Sequence, residues 1–439
     1  MSPRRKFLRL LIFRPKLSQE VRFRRLNHDD AMGGFAMITP DEAIRIILEQ
    51  ARPLRTVLRP LNEALGYCLA EDVAADRDMP ASDRSAMDGY AVRAADLAGC
   101  PCRLRLIGES AAGKPFLGEV EAGSCVRILT GAVVPAGADA VAMVEYSVET
   151  GDAVIVRKGV AAGENIRKRG EEAKAGEIVL PAGTVLTPSR VAVCAAVGAA
   201  EPLVWERPSI AIACTGEELC PADSPALAHE QRNSNGPALW SALNAWGFDA
   251  DSEVMIPDKV DVLSETLHGL AGRHDVVLAN GGVSVGVYDF VPEAVRRIGG
   301  RIHLHGVAIK PGKPMLYATL PNGTHFFGLP GNPVSMLSDF HEFVVPALRR
   351  MAGIAADECR WLMRLPLAEE IAVKPGRVQY LVAALQWGQA GPVARRVPSL
   401  GSSDVLSGGR ADGTIVVPAG VSEVAAGALV DFRPWRPLL

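Results

Sequence analysis

The feature that most constrains the fold is a regular alternation of apolar and amphipathic segments between residues 207 and 352. Apolar runs such as "SIAIACT" and "DVVLAN" are typical of buried strands, whereas "NGPALWSALNAWGF" and "KVDVLSETLHGLAG" have the spacing of helices. Alternating strands and helices predict a doubly wound α/β sheet, in which ligands bind beyond the carboxyl ends of the strands. A last, long helix is expected to begin at Pro333 and to pack through Phe340, Val344 and Leu348.

The segments on either side of this α/β region are predicted to form separate domains. Residues 81–183 contain short β-like stretches between glycines and prolines, which predicts an inserted β subdomain. Residues 37–80 and 184–206 are expected to form a helical linker domain, whose first helix is capped by Thr39. Residues 353–439 return to short strands and turns and predict a small β-barrel. The fold class is therefore multidomain α/β plus β.

Composition and charge argue against several classes of protein. The net charge of −3 is not that of a general nucleic-acid binder, and no apolar run is long enough to span a bilayer. The eight cysteines have neither a CxxC pair nor regular spacing, which predicts reduced thiols in a cytoplasmic protein rather than a zinc site or a disulfide framework. Residues 1–36 hold nine Lys/Arg against three acids. They are expected to be a disordered arm or the result of a start codon assigned upstream of Met37, with a nucleic-acid or membrane tether as the alternative.

Acidic residues follow three of the predicted strands of the α/β region. Glu218, Asp258 and Asp289 should therefore lie along one edge of the sheet, together with the glycine-rich loop 281–286. The amides of such a loop can hold a phosphate, and carboxylates beside an anion cradle are typical of Mg²⁺ shared with a phosphorylated ligand. Simpler roles stay open, because Asp289 could cap the helix that follows and Glu218 could be a solvated loop acid.

Two lysines occur in a rigid turn, "VAIKPGKPM", at residues 307–315. Proline restricts the backbone and glycine permits a close approach, so Lys310 and Lys313 should be held stiffly. A pair of fixed ammonium groups suits a small dianion better than one exposed lysine does. The motif "GLPGNPVSM" adds a helix start with Asn332 as the cap and Pro333 in the first turn, which predicts free amides at that terminus.

Eight motifs occur in a characteristic order: "SAMDGYAV", "RILTGAVVPAGADAV", "GENIRKRGEE", "TGEEL", "NSN", "NGGVSVGVYD", "VAIKPGKP" and "GLPGNPVS". This set closely resembles the bacterial molybdopterin molybdenumtransferases, which are related to the E domain of gephyrin, over residues 37–439. The resemblance implies an elongated subunit of four parts, usually dimeric. It also implies an enzyme that inserts molybdenum from molybdate into adenylyl-molybdopterin, uses Mg²⁺ and releases AMP. It points to the molybdopterin adenylyltransferase and molybdoenzyme-specific factors as protein partners.

The resemblance, with the glycine-rich loop, assigns site residues position by position. The residues expected to be catalytic are Asp88, Thr130, Glu218, Asp289, Lys310 and Lys313. Those expected to bind the substrates are Arg167, Gly281, Gly282, Ser284, Gly286, Lys310, Lys313, Pro314, Pro330, Asn332, Pro333, Arg377 and Ser402. The expected metal ligands are Glu218, Asp258 and Asp289. Within this set, the oxyanion pocket is predicted to consist of Lys310, Lys313, Arg377 and Ser402.

Four positions depart from the family pattern. Glu172 and Glu217 stand where aspartates are usual, Asn280 replaces a serine, and Val287 replaces a common glutamate. The longer side chains leave the roles of the two glutamates open, and Val287 removes one possible metal ligand.

Two other functions remain open. A molybdopterin adenylyltransferase has a similar α/β domain, but the long N-terminal half and the C-terminal β region argue against it. A non-catalytic scaffold is the second alternative, and the intact acids and lysines argue against that.

Overall fold

The computed structural model describes residues 37–284 and 289–437. The basic N-terminal arm, Gly286 and Val287 therefore lie outside the described residues. The chain divides into two compact units. The larger unit contains the described residues up to Val57, then Gly66–Ala70, and the described residues from Val204 onward; the inserted unit contains Leu58–Leu65 and Glu71–Leu203.

The helices and strands of the described residues are numbered here in chain order. The α-helices are α1 Pro40–Gln50, α2 Pro188–Ala196, α3 Asn235–Ala245, α4 Val260–Ala271, α5 Val291–Arg297, α6 Pro333–Asp339, α7 Val345–Met351 and α8 Val405–Gly408. The first strands are β1 Thr56–Leu58, β2 Val73–Ala74, β3 Arg84–Ser85, β4 Gly89–Val92, β5 Cys102–Ser110, β6 Ser124–Ile128, β7 Ala140–Met143, β8 Ser147–Thr150, β9 Ala153–Val156, β10 Ile166–Arg167, β11 Ile178–Leu180 and β12 Leu203–Trp205. The remaining strands are β13 Ile210–Thr215, β14 Leu219–Cys220, β15 Gln231–Arg232, β16 Ser252–Ile256, β17 Val276–Asn280, β18 Arg301–His305, β19 Ile309–Lys310, β20 Leu316–Thr319, β21 His325–Leu329, β22 Met363–Pro366, β23 Ile371–Ala372, β24 Val378–Gly388, β25 Gly391–Arg396, β26 Gly413–Val417, β27 Glu423–Val424 and β28 Leu429–Pro434.

A six-stranded sheet in the order β16-β13-β17-β21-β20-β18 forms the centre of the larger unit. Its first four strands are parallel, and β20 and β18 are antiparallel to their neighbours. Side chains of β13 alternate between two cores: Ile210 and Ile212 pack with α1, α3, α6 and α7, whereas Ala211 and Ala213 pack with α4 and α5. Helices thus cover both faces, which confirms the predicted doubly wound sheet and adds an antiparallel edge.

The first helix begins where the sequence predicts. Thr39 is its N-cap, and the hydroxyl oxygen of Thr39 accepts a hydrogen bond of 3.2 Å from the amide of Glu42. Ile44 and Ile47 on one face are buried. Capping and amphipathic spacing, both local properties, therefore suffice to locate this helix.

The long helical segment expected from Pro333 is present, with Phe340, Val344 and Leu348 buried, but it is not α-helical throughout. Helix α6 ends at Asp339, a single π-helical turn spans Phe340–Val344, and α7 follows. The π-helical turn contains the buried Glu342, whose carboxylate pairs with the guanidinium groups of Arg360 and Arg433. Pro346 at the start of α7 has no amide hydrogen to donate to the carbonyl oxygen of Glu342, so the sequence contains a local signal for this change, whereas the ion pairs depend on residues from later in the chain.

The C-terminal strands form a second sheet in the order β19-β24-β26-β28-β22, and β25 pairs with β24. Leu367, just after β22, bridges to Ala394 in β25, so the ends of the sheet meet. The core contains Ile415 and Phe432, both fully buried. These contacts confirm the predicted small β-barrel.

The inserted unit contains a six-stranded sheet in the order β7-β4-β6-β5-β9-β8. Tyr90, Leu104 and Val154 lie in its core. The predicted inserted β subdomain is thus confirmed, while the exact domain boundaries at residues 81 and 183 stay predictions. No helix within 37–284 or 289–437 is long and apolar enough to cross a membrane.

Candidate active site

Four parallel strands of the larger unit end at one edge of its sheet. Beyond this edge lie Glu218 after β13, Asp258 after β16, Gly281 after β17 and Pro330 after β21. The edge therefore brings together the acids, the glycine-rich loop and the turn before α6, as expected for a doubly wound sheet.

Two glycines let the glycine-rich loop lie directly against the end of β13. Gly281 has φ +93°, and a Cβ built there would lie 2.3 Å from the carbonyl oxygen of Thr215. Gly282 has φ +60°, and its Cβ would lie 3.2 Å from Cγ2 of Thr215. Ser284 is half-buried and is the last described residue before residues 285–288. A larger residue at 281 would push the loop off the strand, so the glycine is required for close approach.

Two asparagines join this loop to the turn before α6. Nδ2 of Asn280 donates to the carbonyl oxygen of Pro330 at 2.6 Å, and Nδ2 of Asn235 donates to Oδ1 of Asn280 at 2.8 Å. Asn235 also donates to the carbonyl oxygen of Gly331 at 2.7 Å. Asn280, a departure from the family pattern, thus acts as a clamp. Asn235 was not predicted as a site residue, although it lies in the "NSN" motif, because its partners Asn280 and Gly331 come from distant segments.

The acidic side chains at the edge have different surroundings. The hydroxyl group of Thr215 donates to Oδ1 of Asp258. The carboxylate of Glu218 lies over Gly216, where an added Cβ would be 2.7 Å from Oε2. Asp289 is not the cap of α5, since the N-cap residue is Phe290. Within the ranges that the structure describes, no group of three or more His, Cys, Asp or Glu is placed to hold a metal ion. Glu218, Asp258 and Asp289 supply carboxylate oxygens, which is the type of ligand that Mg²⁺ prefers, but by themselves these three described residues do not form a closed metal site.

The lysine turn connects the α/β sheet to the barrel. The amide of Gly306 donates to the carbonyl oxygen of Met315 at 2.8 Å, and the amide of Val307 donates to the backbone carbonyl oxygen of Lys313 at 2.9 Å. These bonds close the base of the turn. Gly312 has φ +108°, a conformation that side chains rarely adopt. Pro314 is half-buried at the exit of the turn.

Strand β19 carries Lys310 onto the edge of the barrel sheet. It pairs in parallel with β24, so that Ile309 lies opposite Val378 and Lys310 opposite Gln379. Arg377 immediately precedes β24 and therefore lies beside the lysine turn. The proximity of Lys310 and Arg377, residues 67 positions apart in the sequence, arises from this pairing alone.

Ser402 is attached to the start of α6. Its carbonyl oxygen accepts a hydrogen bond of 3.0 Å from the amide of Val334. Asn332 is the N-cap residue but its side chain makes no capping hydrogen bond, and Pro333 follows it. The first helical amide is therefore occupied by Ser402 rather than free. At 1.5 Å per residue, Val334, which binds Ser402, lies about 7.5 Å along the helix axis from Asp339 at the other end of α6.

Two predicted residues bind each other in the inserted unit. Oδ1 of Asp88 accepts hydrogen bonds of 2.7 Å from both the amide and the hydroxyl group of Thr130. These two bonds lower the pKa of Asp88, the backbone bond having the larger effect. Asp88 precedes β4 and Thr130 follows β6, two paired strands, which explains why residues far apart in the sequence meet.

A cavity of about 200 Å³ opens beside Thr130. Its lining includes Arg84 and Arg167, which are paired across β3 and β10. Arg84 donates to the carbonyl oxygen of Gly131 at 2.8 Å, and Arg167 pairs with Glu172 at 3.1 Å. Glu172, a departure from the family pattern, thus forms an exposed ion pair with Arg167. Arg84 was not predicted as a site residue.

Three family models match consecutive parts of the chain. The model described as MoeA N-terminal region (domain I and II) matches residues 38–198. The model described as probable molybdopterin binding domain matches residues 211–350, and that described as MoeA C-terminal region (domain IV) matches residues 364–435.

Individual proteins show the same similarity. The molybdopterin molybdenumtransferase of Staphylococcus aureus (strain N315) is 33% identical over 400 residues, which are 89% of this chain and 94% of that protein. That of Staphylococcus epidermidis (strain ATCC 12228 / FDA PCI 1200) is 31% identical over 398 residues, 90% of this chain and 94% of the relative. The solved structure of a molybdopterin biosynthesis MoeA protein from Pyrococcus horikosii has a TM-score of 0.77 and 28% identity, and the match covers 92% of this chain and 100% of that one.

Proposed function

The chain belongs to the molybdopterin molybdenumtransferase (MoeA) family, and we propose that it inserts molybdenum from molybdate into adenylyl-molybdopterin, with Mg²⁺-dependent release of AMP. The single observation that supports the site best is the pairing of β19 with β24. It unites the lysine turn with Arg377, and it does so at the junction of the α/β sheet and the barrel. This backbone pairing supports the proposal that cationic side chains of the lysine turn and of the barrel bind one small dianion.

The oxyanion pocket in this proposal consists of Lys310, Lys313, Arg377 and Ser402. Molybdate is a compact dianion, so charge and donor geometry have to provide its binding energy. The closed base of the lysine turn reduces the entropy lost when Lys310 and Lys313 bind it. Arg377 adds a planar set of donors, which suits two oxygen atoms of a tetrahedral anion.

The edge of the α/β sheet would hold the diphosphate of adenylyl-molybdopterin. The loop at Gly281, Gly282 and Ser284 offers close backbone approach, and the asparagine clamp holds it against Pro330. Glu218, Asp258 and Asp289 would hold Mg²⁺ here. When bound, Mg²⁺ would neutralise the diphosphate and so assist cleavage of the bond to AMP.

The inserted unit would complete the site from a second copy of the chain. Asp88, Thr130 and Arg167 are grouped in that unit, and the cavity beside them has a basic lining. We propose a homodimer in which this group faces the larger unit of the partner. The hydroxyl hydrogen of Thr130 is used by Asp88, so its oxygen is available to accept a hydrogen bond from the substrate. A cytoplasmic location and contacts with the adenylyltransferase and with molybdoenzyme-specific factors belong to the same proposal.

The two alternatives make different predictions. An adenylyltransferase would use ATP and would not require molybdate. A scaffold would bind neither molybdate nor molybdopterin productively. The presence of the MoeA N-terminal and C-terminal regions on either side of a molybdopterin binding domain supports the transferase over both.

The test is AMP release from adenylyl-molybdopterin by the full chain with Mg²⁺ and either molybdate or tungstate. The lysine-turn substitution Lys313→Ala is expected to raise the KM for molybdate at least tenfold, because one of two fixed cations is lost, and to affect binding of adenylyl-molybdopterin much less. Lys374→Ala is the matched control, since Lys374 is an exposed lysine of the same unit whose backbone carbonyl, not its side chain, binds Gln379. Release of AMP that does not depend on the oxyanion would overturn the proposed function.

A further inference from the structure

One acid in the larger unit has no use in the site described above. Asp339, the last residue of α6, is completely buried. Neither of its carboxylate oxygens has a hydrogen-bond partner in the described part of the chain. Buried polar side chains nearly always have such partners, so an isolated acid in this position requires a physical explanation.

Asp339 lies directly beneath the lysine turn. A Cβ built on Gly312 would be 2.0 Å from Oδ1 of Asp339 and 2.8 Å from its Cγ, which means that the carboxyl group packs against Cα of Gly312. Gly312 stands between Lys310 and Lys313 in the sequence. The acid thus packs against the backbone that carries the two ammonium groups.

The neighbouring charged groups leave Asp339 without a counter-ion. Glu342, one turn further, is already paired with Arg360 and with Arg433, whose Nε lies 2.7 Å from Oε2. On β24, Tyr380 is buried, and burial raises its pKa well above the ordinary range, so it stays neutral. The ring nitrogens of His341 face the carbonyl oxygens of Leu337 and Trp435, at 2.7 and 2.8 Å.

The surroundings therefore favour the protonated acid. Burial, and then the negative charge of Glu342, raise the pKa of Asp339 well above its usual value. A neutral carboxylic acid costs much less to bury than an unpaired carboxylate.

We propose that Asp339 is a positioning residue of the oxyanion pocket, which supports the lysine turn as a neutral acid and weakens oxyanion binding when it ionises. The inference rests on the proposed function, because it takes the lysine turn to be the molybdate site. An ionised carboxylate against Gly312 would place a negative charge beside the backbone between the two lysines and would repel the dianion. By reciprocity, a bound dianion makes Asp339 hold its proton more tightly.

The experiment compares the parent chain with Asp339→Asn, which keeps the shape of the side chain but cannot ionise. KM for molybdate and kcat are measured from pH 6.5 to 9.5. Between the lowest and the highest pH, the ratio of the parent KM to the variant KM should rise about tenfold. A change of this size lies within the usual range of coupling between two sites. The kcat ratio of the two proteins should not change with pH. Both carry the same lysines and arginines, so the titration of those groups cancels in the comparison.

Asp339→Ser serves as a second neutral variant if Asp339→Asn does not fold. Parallel KM profiles for the parent and a folded neutral variant would overturn the proposal, as would a constant difference at every pH. Equilibrium dialysis of molybdate alone against the full chain distinguishes a failure of the proposed function from a failure of the proposed role of Asp339. If AMP release proves independent of molybdate, the proposed function fails, yet a pH-dependent molybdate affinity that Asp339→Asn removes would still support the role of Asp339.

Discussion

Replacing Gly312 by alanine is expected to disrupt the lysine turn, because the added methyl group would lie 2.0 Å from Oδ1 of Asp339. The backbone also opposes the change, since Gly312 has φ +108°. A non-glycine residue in such a conformation costs about 1–3 kcal/mol. Overpacking of a buried site costs about 1–3 kcal/mol more. We therefore expect Gly312→Ala to reduce the free energy of unfolding by about 2–6 kcal/mol and to raise the KM for molybdate at least tenfold.

Gly323→Ala provides a matched control in the same unit. Gly323 also has a positive φ, +92°, but no atom lies within 4 Å of the Cβ that alanine would add. Gly323→Ala should therefore reduce the free energy of unfolding only by the backbone cost of about 1–3 kcal/mol, and it should not change the KM for molybdate. Urea unfolding followed by tryptophan fluorescence is a suitable assay, because all six tryptophans lie between residues 205 and 435, in the larger unit.

A second substitution tests the cause of the loss. Asp339→Ala removes the group that the new methyl would strike, so the double variant should recover part of the stability lost by Gly312→Ala. Residues in direct contact show coupling energies of about 0.5–3 kcal/mol in such a cycle. Equal losses for Gly312→Ala and Gly323→Ala, or strictly additive effects in the double variant, would refute the close contact between Gly312 and Asp339.

Two further predictions concern acid stability and assembly. Burial lowers the pKa of His325 from 6.5 to about 4, and the hydroxyl group of Tyr317 lies 2.8 Å from Nδ1 of the neutral ring. As pH falls, the histidine therefore takes up a proton in the unfolded chain before it does so in the folded one. The contribution of His325 to the free energy of unfolding is complete above pH 6.5. It falls progressively down to about pH 4, by roughly 3 kcal/mol in all. His325→Gln should therefore reduce the difference between the urea midpoints measured at pH 7 and at pH 4.5. An unchanged difference would contradict the role of His325 in acid stability. For assembly, mixing Asp88→Ala with Asp289→Ala chains should restore activity that neither variant has alone, if the site is completed across a dimer. A fully active monomer in sedimentation analysis would exclude this arrangement.

Much of the fold follows from local patterns. The strand and helix alternation predicts the doubly wound sheet, and a capping residue at Thr39 predicts the first helix. The same alternation predicts that Glu218 and Asp258 follow strands that end at one edge, since parallel strands share their direction. These features depend on residues within a few positions of one another, which is why a single sequence suffices for them.

The change to a π-helical turn after α6 is only partly predictable from the sequence. Pro346 has no amide hydrogen to donate to the carbonyl oxygen of Glu342, which is a local signal. The π-helical turn also coincides with ion pairs that Glu342 makes with Arg360 and Arg433. Such pairs depend on where distant segments pack. Asn235 and Arg84 escaped prediction for the same reason, because each is positioned by partners on another strand or loop.

The amino-acid sequence alone determines the rigidity of the lysine turn, the glycine-rich loop and the order of the motifs, because each of these depends on neighbouring residues. Tertiary structure alone decides that the segment with Arg377 lies beside the lysine turn, since the parallel pairing of β19 with β24 joins parts of the chain that are 67 or more positions apart. It also decides the state of Asp339, which in the sequence is an ordinary acid on a helix. Burial without a counter-ion changes its proton affinity, and burial arises only when helix, turn and barrel pack together.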